Sequence, residues 1–105
     1  MGGMVIGVCT VTLYLPGTGS LKEKRGQVKW LLTRLRREFN VTTAEVGLHD
    51  VWQSANIGVA AISTSAAYVQ DLIDGLVEWI ERNRPDLEVV DHAVEIISLS
   101  THHGE

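Results

Sequence analysis

Hydrophobic positions recur with period two in four stretches of the chain and with helical period in two, and the order of these stretches predicts the fold. Residues 4–15 are dense in Val, Ile, Thr, Leu and Tyr. Val5, Cys9, Val11 and Leu13 fall on one side of an extended strand, and Ile6, Val8, Thr10, Thr12 and Tyr14 on the other. A strand apolar on both sides belongs at the centre of its sheet, with each face at least partly covered. Pro16, Gly17, Thr18 and Gly19 end it, because proline and glycine favour turn geometry. Ser20 followed by Glu23 is a capping-box pattern: the hydroxyl accepts from the N–H three residues on, and Glu23 reaches back to the N–H of Ser20. The helix opened there runs to about Phe39 and stops at Asn40. At about 100° per residue, Leu21, Val28, Leu31, Leu32, Leu35 and Phe39 gather on one side of it.

Residues 41–48 and 57–64 read as the second and third strands, joined through residues 49–56 by a connection longer than a tight hairpin turn. Ser65 caps a second helix through Asn83, with Val69, Leu72, Ile73, Leu76 and Ile80 as its core stripe. Asn83, Arg84, Pro85 and Asp86 end that helix. Residues 87–99 form the last strand, where Asp91 and Glu95 mark a solvent-facing side, and residues 100–105 read as a frayed tail. The order βαββαβ with right-handed crossovers gives an α+β, ferredoxin-like sandwich. It has a four-stranded antiparallel sheet, the first and third strands central, and two helices on one face. The second face of the sheet carries no helix, so a partner, a ligand or solvent covers it.

Length sets one domain: a chain of 105 residues has no room for a second independent core, and one core of this size leaves little stability to spare. Oligomerisation, with a homodimer first, is therefore expected. No apolar stretch is long enough to span a membrane, and the start, Met1-Gly2-Gly3-Met4, lacks the pattern of a signal peptide or of a myristoylation site. Met4 serves as well as Met1 for the start of the fold. Cys9 is the single cysteine and lies in an apolar run, so it reads as a small buried hydrophobe; it can form neither an intramolecular disulfide nor a cysteine zinc site. A reducing, cytoplasmic location is the expectation that follows.

The net charge of −4 argues mildly against nucleic acid, but its distribution argues the other way. Seven of the nine Lys and Arg residues fall between positions 21 and 39 with only two carboxylates, a segment of +5 against −9 for the remainder. Lys22, Arg25, Lys29 and Arg36, spaced by 3, 4 and 7, stack along one flank of the first helix. Such a flank suits successive phosphates of RNA or another anion. The alternative is a solvated face paired with Asp71, Asp74, Glu78 and Glu81 of the second helix. No aromatic RNA-binding strand pattern accompanies it. Trp30 lies almost opposite the Leu21–Phe39 stripe, beside Arg34 and Arg37, where it serves as an interface anchor or base-stacking platform or else folds over its own helix. With Tyr14 and Trp52 it makes up the candidate interface set.

His49, Asp50, Trp52 and Gln53 form the densest polar-aromatic group. Histidine and aspartate can build half a metal site or a general base, but adjacency in sequence is poor evidence that they converge. A structural turn with Trp52 packed on the sheet is the stronger reading, and a binding edge the next. His92 reads as a packed or edge histidine, and His102-His103 as a weak metal-binding pair in the tail. The glycine turn before Ser20 lacks Walker spacing, although its N–H groups, close to Lys22 and Arg25, suit a bound anion. No nucleophile–base pair, metal cluster or cofactor fingerprint emerges, so no enzymatic activity and no cofactor are expected.

Ser20-Leu21-Lys22-Glu23-Lys24-Arg25, Phe39-Asn40-Val41, Ala44-Glu45-Val46, Trp52-Gln53 and Ile57-Gly58-Val59-Ala60 together resemble the YlxP-like bacterial family, over roughly residues 4 to 98. The Ser-Leu-Lys-x-Lys-Arg block and the Asp50-x-Trp52 turn are specific as a pair. The resemblance implies a ferredoxin-like fold and no established enzymatic activity. It also implies, by the genes that often neighbour those of the family, a role near the ribosome. Two expectations follow: a non-enzymatic protein touching a ribosomal subunit or structured RNA through its basic first helix, or a homo-oligomeric interaction module built on the open sheet face.

Overall fold

One long strand organises the architecture. In the computed structural model, which describes residues 3–100, β1 (Gly3–Tyr14) is flanked on one side by β3 (Ser54–Ser63) and on the other by β4 (Glu88–Ser100). β2 (Thr42–Gly47) adds to β3, so the sheet runs β2-β3-β1-β4 and every neighbouring pair is antiparallel. Helices α1 (Leu21–Glu38) and α2 (Ala66–Asn83) complete the order βαββαβ. The expected α+β, ferredoxin-like arrangement with β1 and β3 at the centre is the one observed. The third strand begins three residues before its expected start. β1 is long enough to pair Leu13 with Ala55 and Tyr14 with Ser54, and the Leu15 N–H still donates to the Gln53 carbonyl at 2.8 Å.

The two faces of β1 have different fates. Val5, Cys9, Val11 and Leu13 are buried, with Ile57 and Val59 of β3, under Val28, Leu31 and Leu35 of α1 and Val69, Ile73, Leu76, Val77 and Ile80 of α2. Burying a side chain of this size contributes roughly 1.5–3 kcal/mol, so this layer is the main source of stability. α2 crosses β1 at Gly7, where an added Cβ would fall 2.1 Å from Val69 Cγ1; only glycine lets the helix approach so closely. On the other face Ile62, Ile6 and Ile97 stand side by side across three strands, and Met4 pairs with Leu99 beside them. Ile62 is 64% exposed, and Ile97 and Leu99 are also exposed.

The helix ends follow local chemistry. Ser20 Oγ accepts from the Glu23 N–H at 3.1 Å as expected, but Glu23 reaches back to the N–H of Gly19, at 2.8 Å, rather than to that of Ser20. Ser65 caps α2 by accepting from the Tyr68 N–H. Ser100, expected in the frayed tail, ends β4 and pairs with Gly3, and residues 101–105, with His102 and His103, lie outside the described residues. No helix among the described residues is long and apolar enough to cross a membrane.

Candidate functional site

α1 presents two unlike sides, and the side away from the sheet holds the candidate residues. Lys22, Arg25, Lys29 and Arg37 are exposed, and among the described residues none of them lies within ion-pair distance of a carboxylate. Arg36 is exposed too, but its guanidinium is tied to β2 by a 2.7 Å hydrogen bond donated to Thr43 Oγ1. Arg34 pairs with Glu38 one turn along, and Glu78 of α2 pairs with Arg82 of its own helix. The cross-helix pairing of α1 cations with α2 acids therefore does not occur among the described residues.

Lys24 departs from this pattern. It stands in the block of cations, yet it is 0% exposed and sits on the inner side of the helix. Its ammonium lies 3.0 Å from Glu45 Oε2 on β2 and donates to the carbonyls of Leu48 and His49, the latter at 3.3 Å. A buried charge persists only when paired and hydrogen-bonded in this way. Leu48 adopts φ 59°, the left-handed region that a leucine avoids. In that conformation its carbonyl accepts both from the Val51 N–H, at 3.1 Å, and from Lys24. The lysine thus clamps the β2–β3 turn to the first helix. The helical wheel carries the signal for it, since Lys24 precedes Val28, Leu31 and Leu35 by 4, 7 and 11 residues and falls within the core stripe.

A second cluster gathers around Trp30, which is 42% exposed; the sequence places Arg34 beside it but gives no sign of Arg84. Two guanidiniums approach its ring, Arg34 at 5.1 Å and Arg84 at 4.8 Å from the centroid. Arg84 arrives from the end of α2, far away in sequence. It is held by Asp86 through a two-pronged contact of 2.9 and 2.7 Å, and it donates to Gln27 Oε1 at 3.1 Å. The arginine beside Asp86 holds that carboxyl below the usual carboxylate range. A concavity of about 500 Å³ lies here, lined by Glu23, Gly26, Gln27, Trp30 and Arg84. A second, of about 330 Å³, is lined by Gly26, Lys29, Trp30, Thr33, Arg34 and Arg37.

The other candidates separate from this cluster. Tyr14 is exposed at the end of β1, on the open face of the sheet. Trp52, expected to pack on the sheet, is 50% exposed in the β2–β3 turn: the turn is anchored by Lys24 and does not need the indole. The interface set thus divides between the two layers. His49 and Asp50 are exposed in the same turn, with His49 Nε2 at 3.2 Å from the Glu45 carbonyl. His92 lies exposed on the edge strand β4. Among the described residues no group of three or more His, Cys, Asp or Glu side chains could hold a metal ion. Burial pushes the Cys9 thiol up, with Asp74 adding to the shift. In the glycine turn before α1, Glu23 occupies the Gly19 N–H and the Thr18 N–H donates to the Leu15 carbonyl.

Comparison with known proteins agrees with the resemblance. The family model described as "Protein of unknown function (DUF503)" matches residues 6–94. "Uncharacterized protein YlxP" of Bacillus subtilis (strain 168) is 34% identical over 84 residues, covering 80% of this chain and 90% of the relative. Among solved structures, the de novo designed protein Foldit4 aligns over 95% of this chain and 99% of its own, at 13% identity and a TM-score of 0.41. With the family model spanning most of the fold and this relative matched over most of both lengths, the chain belongs to the DUF503 family and is YlxP-like.

Proposed function

We propose that the chain is a non-enzymatic, cytoplasmic binding protein that docks on structured RNA, with a ribosomal subunit as the natural target, through the outer flank of α1. The observation that carries this reading is the set of exposed cations, Lys22, Arg25 and Lys29, aligned along one helix flank without carboxylate partners among the described residues. Arg36 extends the row at its far end. Cations left unneutralised by their own protein keep their full attraction for an external polyanion. The acidic remainder of the molecule then orients it, presenting one side to RNA and turning the rest away.

The test is co-sedimentation of the purified protein with ribosomal subunits at low and moderately high salt. Binding should weaken steeply with salt, and replacing Lys22, Arg25 and Lys29 together by Glu should abolish it while the thermal unfolding curve stays in place. Intact association of that triple variant sinks the reading.

A second reading rests on the open sheet face, where Ile62, Ile6 and Ile97 form an apolar row across three strands. A second copy packed on that face forms a homodimer with both α1 helices on the outside, so the two readings are compatible. Sedimentation equilibrium at micromolar concentration should give a dimer mass for the native chain and a monomer mass for Ile62→Lys. A native monomer removes this reading.

A further inference from the structure

The outer side of α1 contains a glycine that nothing in the fold requires. Gly26 sits mid-helix, and a Cβ built on it meets no heavy atom within 4 Å. Neither packing nor a close approach calls for glycine here, in contrast to Gly7 under α2. Helical side chains lean toward the N-terminal end, so Trp30, one turn on, projects toward the position where residue 26 has no side chain. Both concavities on this side of the helix share these two residues. The result is an open slot bounded by an exposed aromatic ring, with Lys29 and Arg37 on one side and Arg84 with Glu23 on the other.

We infer that this slot takes one unpaired base of single-stranded RNA, stacked on Trp30 over Gly26, with its phosphates on the Lys29 and Arg37 side. This deepens the RNA reading above and rests on it. Three features favour a nucleotide over an apolar side chain. The ring is already flanked by two guanidiniums, which stack on bases as well as on indoles. The cations lie within one concavity of the ring, so a base and its own phosphate can be met together. Glu23, exposed at the opposite end, uses Oε1 on the Gly19 N–H and offers Oε2 as an acceptor to an exocyclic amino group, which adenine carries and uracil lacks. Glu23 also repels phosphate, which fixes the direction in which the nucleotide lies.

Arg84 is a positioning residue in this arrangement. Asp86 and Gln27 both bond its guanidinium, which places the wall of the slot before any ligand arrives. Preorganisation of this kind lowers the entropic cost of stacking.

Two labelled probes of equal length test the inference: a short single-stranded oligoadenylate, and a ribose-phosphate oligomer without bases. Fluorescence anisotropy at low salt should show the oligoadenylate binding about tenfold more tightly than the abasic oligomer, the factor that stacking one base supplies. Gly26→Gln, which fills the slot and keeps every cation, should bring both probes to the affinity of the abasic one. Its melting temperature should not fall, since glutamine is a better helix former than glycine. Equal, salt-sensitive binding of both probes to the native chain overturns the slot and leaves the basic-flank reading standing. Oligoadenylate binding indifferent to Gly26→Gln does the same. Failure of both probes to bind overturns the inference, while co-sedimentation with ribosomal subunits decides the RNA reading under it.

Discussion

The inner and outer sides of α1 each break the rule that governs the rest of the helix, and they break it in opposite ways. On the inner side a lysine occupies a core position among Val28, Leu31 and Leu35. On the outer side a glycine occupies a position where an added Cβ would meet no heavy atom within 4 Å. The inner exception is accounted for within the fold, because Lys24 finds Glu45 and two turn carbonyls. The outer exception has no such account: Gly26 lowers helix stability by roughly 0.5–1 kcal/mol relative to alanine and contributes no packing in return. A local rule broken with compensation belongs to the structure, and one broken without it is the kind of position at which a functional role is worth testing. That difference separates two kinds of residue that look alike in composition, since Lys22, Lys24, Arg25 and Lys29 are all cations of a single helical segment.

The largest effect should come from breaking the compensated side. Lys24→Met removes the ammonium but leaves the Glu45 carboxylate and the turn carbonyls facing an apolar group, and the expected loss is about 3 kcal/mol of unfolding free energy. Adding Glu45→Gln should return part of that loss, because the stranded charge is gone, and the two substitutions should be non-additive in a double-mutant cycle. Urea unfolding of the four proteins gives the answer. A Lys24→Met variant as stable as the native chain means that the clamp contributes nothing. The loop of residues 48–53, with Leu48 in its left-handed conformation, should then keep its shape by itself.

How much of this was legible in the sequence divides along the same line. Strand and helix periodicity located all six elements, because the apolar positions of β1, α1 and α2 repeat at the spacing their geometry demands. The boundaries of β3 were less legible: Ser54 and Asn56 are polar, and only pairing along the whole of β1 draws them into the strand. The cationic flank was visible, since 3-, 4- and 7-residue spacings align side chains without tertiary information. The clamp was half visible, with Lys24 in the core stripe but with partners supplied by a turn 24 and 25 residues away. The wall of the Trp30 slot was hidden altogether. Arg84 reaches Gln27 across 57 residues of sequence, a contact made only when α2 lies down beside α1. Trp52 was expected on the sheet because an indole in an apolar context usually packs, and the lysine clamp removed the need.

A smaller effect of opposite sign tests the uncompensated side. Gly26→Ala should raise stability by about 0.5–1 kcal/mol, because a methyl group reaches no neighbour and the unfolded chain loses freedom. Thermal unfolding monitored by circular dichroism should move its midpoint upward by a few degrees. A drop in stability would show that the glycine serves the fold after all. Gly26 and Lys24 would then be two cases of the same kind, and the contrast between the two sides of α1 would lose its meaning.

The smallest effect concerns the residue that links the two helices on the outer side. The Arg84–Asp86 contact lowers the pKa of Asp86 in the folded state, so its contribution is present above the unfolded value of about 3.9 and is lost as the pH falls through the depressed folded value. Asp86 is well exposed, so little global stability depends on this contact, and the readout should be local. The Arg84 Nε–H resonance, which reports the 2.9 Å bond to Asp86 Oδ1, should stay constant from neutral pH down to about 4 and move only below that. Asp86→Asn should reproduce the acid position of the resonance at neutral pH. Because Arg84 also sits 4.8 Å from the Trp30 centroid, indole signals of Trp30 should move in the same acid range while those of Trp52 do not. A resonance that titrates at the ordinary aspartate value means that the guanidinium is not held. In that case the slot beside Trp30 has a mobile wall, and a base stacking there must order Arg84 as it binds.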